Sequence, residues 1–161
     1  MSGLAEKQNA IEILRTEHAQ MRDMITIIGA TDEPELKRQL LRELVCIAKV
    51  HAELEVKYFY PFVSRHVRYE HMKRPAEEFH SVEVLLAELE TADPSELGAL
   101  LARVGERLEK HIFDAEELLF MRIEQRCSDV TYSLSQLSAR MNSKKKEMLA
   151  AEMTESSRFV S

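Results

Sequence analysis

The sequence predicts an all-α protein, an antiparallel up-and-down four-helix bundle followed by one additional C-terminal helix. Three observations carry this prediction. The 161 residues include only four Gly, four Pro and no Trp, and the many Leu, Ala, Glu, Lys and Arg make a helix-rich composition. Apolar residues recur at spacings of three and four through four successive segments. Turn-and-cap signals, Thr31-Asp32-Glu33-Pro34 and Thr91-Ala92-Asp93-Pro94, separate the helices of each hairpin. The length suits one well-developed core, so residues 1–127 are read as the bundle and 128–161 as the C-terminal helix with a frayed tail.

The first helix is expected from about Ala5 to Ile28, with Ile11, Leu14, His18, Met21, Ile25 and Ile28 on one stripe. Gly29 ends it. The second runs from about Pro34 to Tyr60 and carries Leu36, Leu40, Leu44, Ile47, His51, Glu55, Tyr58 and Phe62; Pro61 should kink or end it. Residues 62–73 read as an irregular connection holding His66 and His71, both expected at the surface. The third helix begins near Arg74-Pro75 and continues to about Leu89. The fourth spans about Ser95 to Arg126, its buried side given by Leu97, Leu100, Leu101, Val104, Leu108, His111, Leu118 and Leu119. From Ser128 onward Leu134, Leu137, Met141 and Met148 form the apolar side of a weaker helix. That helix is expected to pack across the bundle or to mediate homo-oligomerisation, and 154–161 to fray.

The formal net charge of −6 disfavours nonspecific binding to nucleic acid or anionic membrane. Lys144-Lys145-Lys146 is the concentrated basic run and reads as a solvated helix face. Cys46 and Cys127 form no CxxC pair and are too few for a disulfide scaffold, so both are expected to be packing residues in a reducing cytoplasm. The N-terminal stretch has no signal-peptide pattern. No run approaches the ~20 apolar residues of a membrane span.

Six histidines occur, and four of them, His18, His51, His80 and His111, fall one to a helix in the bundle. Each imidazole placed in a core must lose water and find a partner, so four together are not explained by stability. Glu55 lies four residues after His51 and points the same way. Ala48, Ala52, Tyr58 and Phe59 surround it on the helix, and Lys57 points elsewhere. A carboxylate facing a core needs a cation. Imidazole and carboxylate donors suit iron, manganese or zinc. More than four candidate ligands on four helices favour two ions, which carboxylates bridge at about 3.5 Å.

The ordered set His18, His51-Ala52-Glu53-Leu54-Glu55, His80 and His111 resembles the hemerythrin-like HHE cation-binding family. HAELEVKYFYP, His51 to Pro61, looks like the family's H-x-x-x-E-x-x-x-[LYF]-[FY]-P signature, and HIFDAEELLF, His111 to Phe120, looks like its second copy. The resemblance spans roughly residues 11–125. It departs at Ala115, where the family usually carries Glu four residues after the His. Hemerythrins proper space this carboxylate at five, which selects Glu116, with Asp114 in reserve. On an ideal helix Glu116 would face about 140° away from His111, and a π-bulge or local unwinding near Asp114–Ala115 would correct that. Hemerythrins proper also place two His on the third helix, where this chain has His80 alone, flanked by Ala76 and Val84. Glu77 could replace the missing ligand. A ferritin-like site would need two Glu-x-x-His motifs, and only Glu77-x-x-His80 is present.

The resemblance implies two non-haem irons, oxo- or carboxylate-bridged. His18 and His51 would bind one, His80 and His111, with Glu77, the other, and Glu55 and Glu116 would bridge them. Open coordination positions would take O₂, peroxide or NO, and Tyr58, seven residues after His51, is the candidate catalytic proton donor. Three function classes follow: binding or sensing of O₂ or NO, catalase- or peroxidase-like consumption of peroxide, and metal handling or a structural metal.

Overall fold

A computed structural model describes residues 9–125 and 128–160. The described residues are almost all helical and contain no strand. α1 spans Ala10–Gly29 and starts where the Asn9 side chain accepts the Glu12 backbone N–H. The part of the expected first helix before residue 9 lies outside the described residues. α2 spans Pro34–Leu54, with Pro34 in its first turn and the Glu33 carboxylate accepting the N–H groups of Glu35 and Leu36. The expected cap after Gly29 is therefore present, supplied by Glu33.

α2 does not end at Pro61. It widens into a π-turn at Glu55–Phe59 and continues as α3, Tyr60–Val63. Pro61 has no N–H to return to the carbonyl four residues earlier, and Tyr60 N–H instead reaches back five residues to Glu55 O. The connection is shorter than expected, because α4 begins at Tyr69 and runs to Thr91 with Pro75 inside its second turn. α5 spans Pro94–Phe113, a second π-turn spans Asp114–Phe120, and α6 covers Met121–Glu124. A π-bulge is present near Asp114. It also changes the phase of the helix, so Leu118, expected inside, is exposed while Leu119 and Phe120 are buried.

α7 spans Ser128–Val160. The expected fraying at 154–161 gives way to helix through Val160, and Ser161 lies outside the described residues. α7 packs across α1 and α2, burying Leu134, Leu137 and Met141 and resting Met148 against the core. Cys46 on α2 is half-buried; Cys127 lies outside the described residues. Among the described residues no helix is long and apolar enough to cross a membrane.

Two apolar clusters fill the bundle. One gathers Ile11, Leu14, Leu54, Phe59, Ala115, Leu119, Phe120 and the α7 residues. The other gathers Met21, Leu44, Ala48, Phe79, Val82, Leu86, Leu108 and Ile112. Between them lies a polar layer of Glu17, His18, His51, Glu55 and His111, each nearly inaccessible to solvent. Polar side chains are expensive at such depth unless they are partnered, so the layer marks the place where the fold gives up packing for chemistry.

Candidate metal centre

α1, α2 and α5 each send one imidazole into the polar layer. One ring nitrogen each of His18, His51 and His111 lies within 4.8 Å of the other two. The opposite nitrogen of every ring is held. His18 Nδ1 is 2.9 Å from Glu116 Oε2, His51 Nδ1 is 2.7 Å from Glu17 Oε1, and His111 Nδ1 donates to the Pro75 carbonyl oxygen at 2.7 Å. Such contacts fix the ring orientation and leave Nε2 to act as the donor to a metal. The Nε2 atoms of all three rings are buried and have no hydrogen-bond partner.

Glu55 completes the group. Its Oε1 is 2.8 Å from His51 Nε2, an ion-pair contact, and 3.6 Å from His111 Nε2. Its Oε2 accepts the Tyr60 hydroxyl at 2.8 Å. The π-turn produces this last contact, because it brings the residue five positions after Glu55 back over it. Tyr58, the expected proton donor, is half-buried on another face, under the Arg140 guanidinium of α7.

Electrostatics follow from burial and neighbours. Desolvation opposes charge on both His51 and Glu55, but each outweighs that cost for the other. His51, flanked by Glu55 and Glu17, is raised to about 10, and Glu55, facing His51 and His111, is held down to about 2. Desolvation lowers His18, and it lowers His111 to about 4, so these two rings are neutral at pH 7. Burial, then the charge of Glu55, pushes the Tyr60 hydroxyl well above its ordinary value and keeps it a donor.

The outer partners carry charge of their own. Glu17 is fully buried, and Lys145 of α7 stands 3.0 Å from its Oε2. Glu116 is partly exposed, with Arg15 3.7 Å away. Desolvation would raise Glu116, but the contact with His18 and the charge of Arg15 lower it.

Three further residues expected at the site lie elsewhere or act differently. His80 is exposed, and Glu77 is exposed and faces Lys73 across 3.9 Å. The apolar face of α4 runs through Phe79, Val82, Leu86 and Leu89, which turns His80 about 100° from the core. Phe79 takes the inner position, its ring centroid 4.7 Å from that of His51 and 4.8 Å from that of His111. Glu116 reaches the outer nitrogen of His18, opposite the one that faces the other two rings. Asp114, its reserve, is buried beside Glu78. His66 and His71 are half-buried and belong to the α3–α4 region, outside the cluster. Glu17, Tyr60, Pro75 and Lys145 were not anticipated. Glu17 was findable, since it falls on the spacing Leu14, Glu17, Met21.

Three buried imidazole nitrogens and a carboxylate, converging in an apolar interior with the outer nitrogens of the rings anchored, fit a divalent cation. Four N/O donors without thiolate suit iron or manganese at least as well as zinc. His18, His51, His111 and Glu55 would hold it. Comparisons with curated proteins and with solved structures returned no match. The family model of the hemerythrin HHE cation-binding domain matches residues 9–123, most of the chain and all four helices of the bundle. Those residues contain His18, His51, Glu55 and His111, and the chain belongs to the hemerythrin HHE cation-binding family.

Proposed function

We propose that this protein holds non-haem iron at His18, His51, His111 and Glu55 and binds or senses O₂ or NO there. The observation that carries the reading is the convergence of three buried imidazole nitrogens within 4.8 Å of one another around a buried carboxylate. Ferrous iron, when bound, supplies an electron-rich centre with positions open to a small diatomic ligand. The chain supplies the surroundings. Phe79 and Phe120 wall the imidazoles, with the Phe120 ring stacked on His18 at 6.1 Å, and the two apolar clusters exclude water and bulky substrates. Glu17, Glu116 and the Pro75 carbonyl hold the rings in place, so that little reorganisation accompanies ligand uptake.

One observation favours a second reading, consumption of peroxide. The Tyr60 hydroxyl, 2.8 Å from Glu55 Oε2, holds a proton within reach of the centre, as peroxide reduction requires. Purified protein reconstituted anaerobically with Fe(II) separates the cases. A visible-absorption change on adding NO or O₂, absent in His51→Ala, supports binding or sensing. Steady O₂ evolution from added peroxide, slowed in Tyr60→Phe, supports the enzyme. Iron-loaded protein inert to all three would reject both.

A further inference from the structure

We infer, resting on the metal-binding reading above, that this site takes a single metal ion although its layout repeats as if for two. The bundle is two helical hairpins, α1–α2 and α4–α5, and their inward residues correspond. His18 faces the central pair from α1, its ring centroid 4.8 Å from His51 and 5.1 Å from His111. Phe79 faces the same pair from α4 at 4.7 and 4.8 Å. It stands where a second His18 would stand, and a phenyl ring has no lone pair to give. The same holds one layer on. Glu55 follows His51 by four residues, and Ala115 follows His111 by four. Ala115 is fully buried, and its methyl offers no donor.

The other polar groups of the second hairpin do not compensate. Glu116 is engaged with the outer nitrogen of His18, Asp114 pairs with Glu78, and Glu77 and His80 are exposed. What remains is three imidazoles and one carboxylate, a full set for one ion and half a set for two. Charge agrees with this count. Lys145 and Arg15 already offset Glu17 and Glu116, which leaves Glu55 to neutralise the centre. One carboxylate against one dication leaves a single net positive charge in a dry layer, whereas two dications would leave three, and unpaired buried charge is strongly penalised.

The test loads the full-length protein anaerobically with excess Fe(II), removes loosely held metal, and counts iron per chain. A parallel sample takes Mn(II) and is read by electron paramagnetic resonance. One iron per chain and the hyperfine pattern of an isolated Mn(II) are expected. Phe79→His combined with Ala115→Glu should raise the count to two and give the pattern of an exchange-coupled pair. Two ions in the unaltered protein, both lost in His51→Ala, would overturn the single-ion assignment and leave the metal-binding reading intact. No bound ion would overturn both. One ion in a folded Phe79→His/Ala115→Glu variant would show that these two side chains are not what excludes the second. Should that variant fail to fold, the count and Mn(II) pattern of the unaltered protein still decide.

Discussion

The two hairpins of the bundle use the same geometry to different ends. Each enters the core with an imidazole on its second helix, and each then opens a π-turn within a few residues of that imidazole, at Glu55–Phe59 and at Asp114–Phe120. In the first hairpin the turn keeps Glu55 inside and folds the Tyr60 hydroxyl over it. In the second it buries Ala115, Leu119 and Phe120 and sends Glu116 to the outer nitrogen of His18. α1 contributes His18, and α4 contributes Phe79. One hairpin therefore carries the donors, and the other carries one donor and a hydrophobic wall. Helix period decides which face a residue shares, but the side chain at that position decides whether the face ligates or packs.

The largest effects should separate the hairpins by metal content. Replacing His18, His51 or His111 by Ala should remove most bound iron, since each takes away one of four donors and leaves the others orphaned in a dry layer. His80→Ala and Glu77→Gln, on the exposed side of α4, should leave iron content unchanged. Metal analysis of the five purified variants checks this. Iron lost in His80→Ala would move the site onto α4 and break the comparison.

Stability comes next. Phe79 is nearly fully buried and packs between His51 and His111, so Phe79→Ala should cost about 3–5 kcal/mol in urea or thermal unfolding. Phe79→Leu should recover most of that if the residue is a packing wall. Equal losses for Ala and Leu would point to a role other than packing.

Much of this was legible in the sequence. The composition, the stripes and the two Pro-containing caps give the bundle, and His18, His51, Glu55 and His111 sit on their stripes as buried residues. What misled was chemistry read ahead of phase. His80 looks like a ligand by residue type, yet Phe79, Val82, Leu86 and Leu89 already fix the inner face of α4 one residue earlier. Tyr58 faces the site only at 3.6 residues per turn, but the segment winds more widely, and the π-turn moves the next tyrosine, Tyr60, onto Glu55. Glu116 was taken as an inward ligand, when the same widening turned it toward α1. The Lys145–Glu17 contact joins residues far apart in the chain, and no local pattern announces it.

The two carboxylate–imidazole pairs sharpen the comparison at smaller magnitude. Glu17 is buried and leans on Lys145 from α7, whereas Glu116 is partly exposed near Arg15. Lys145→Met leaves a buried carboxylate with less compensation and should lower stability by about 1–3 kcal/mol, roughly 2–12 °C in Tm for a chain of this size. Arg15→Met, at the surface, should cost under about 1 kcal/mol. Thermal unfolding of the two variants side by side checks the ranking. The reverse order would mean that α7 is not electrostatically tied to the centre.

An effect comparable to that of Lys145→Met is one of pH, and it lies in the second hairpin. Glu78 is buried beside Asp114, with Lys110 Nζ 3.5 Å away. Desolvation, then the neighbouring Asp114 carboxyl, raises it to about 7, against 4.5 for an ordinary Glu. Between those values the folded chain holds a proton that the unfolded chain has released. Stability from this group is therefore greatest below about pH 4.5, declines as pH climbs through about 7, and is level above that. Glu78→Gln keeps the shape of the protonated acid without the charge. It should match the parent near pH 4.5 and exceed it by on the order of 1–3 kcal/mol at pH 8. Thermal unfolding of parent and variant at both pH values reports on the Glu78–Asp114 pair as a unit, because removing one carboxyl also relieves its neighbour. A variant less stable than its parent at pH 8 would mean that the Lys110 contact outweighs the repulsion from Asp114, and that this half of the bundle holds its charge as comfortably as the first hairpin holds Glu55.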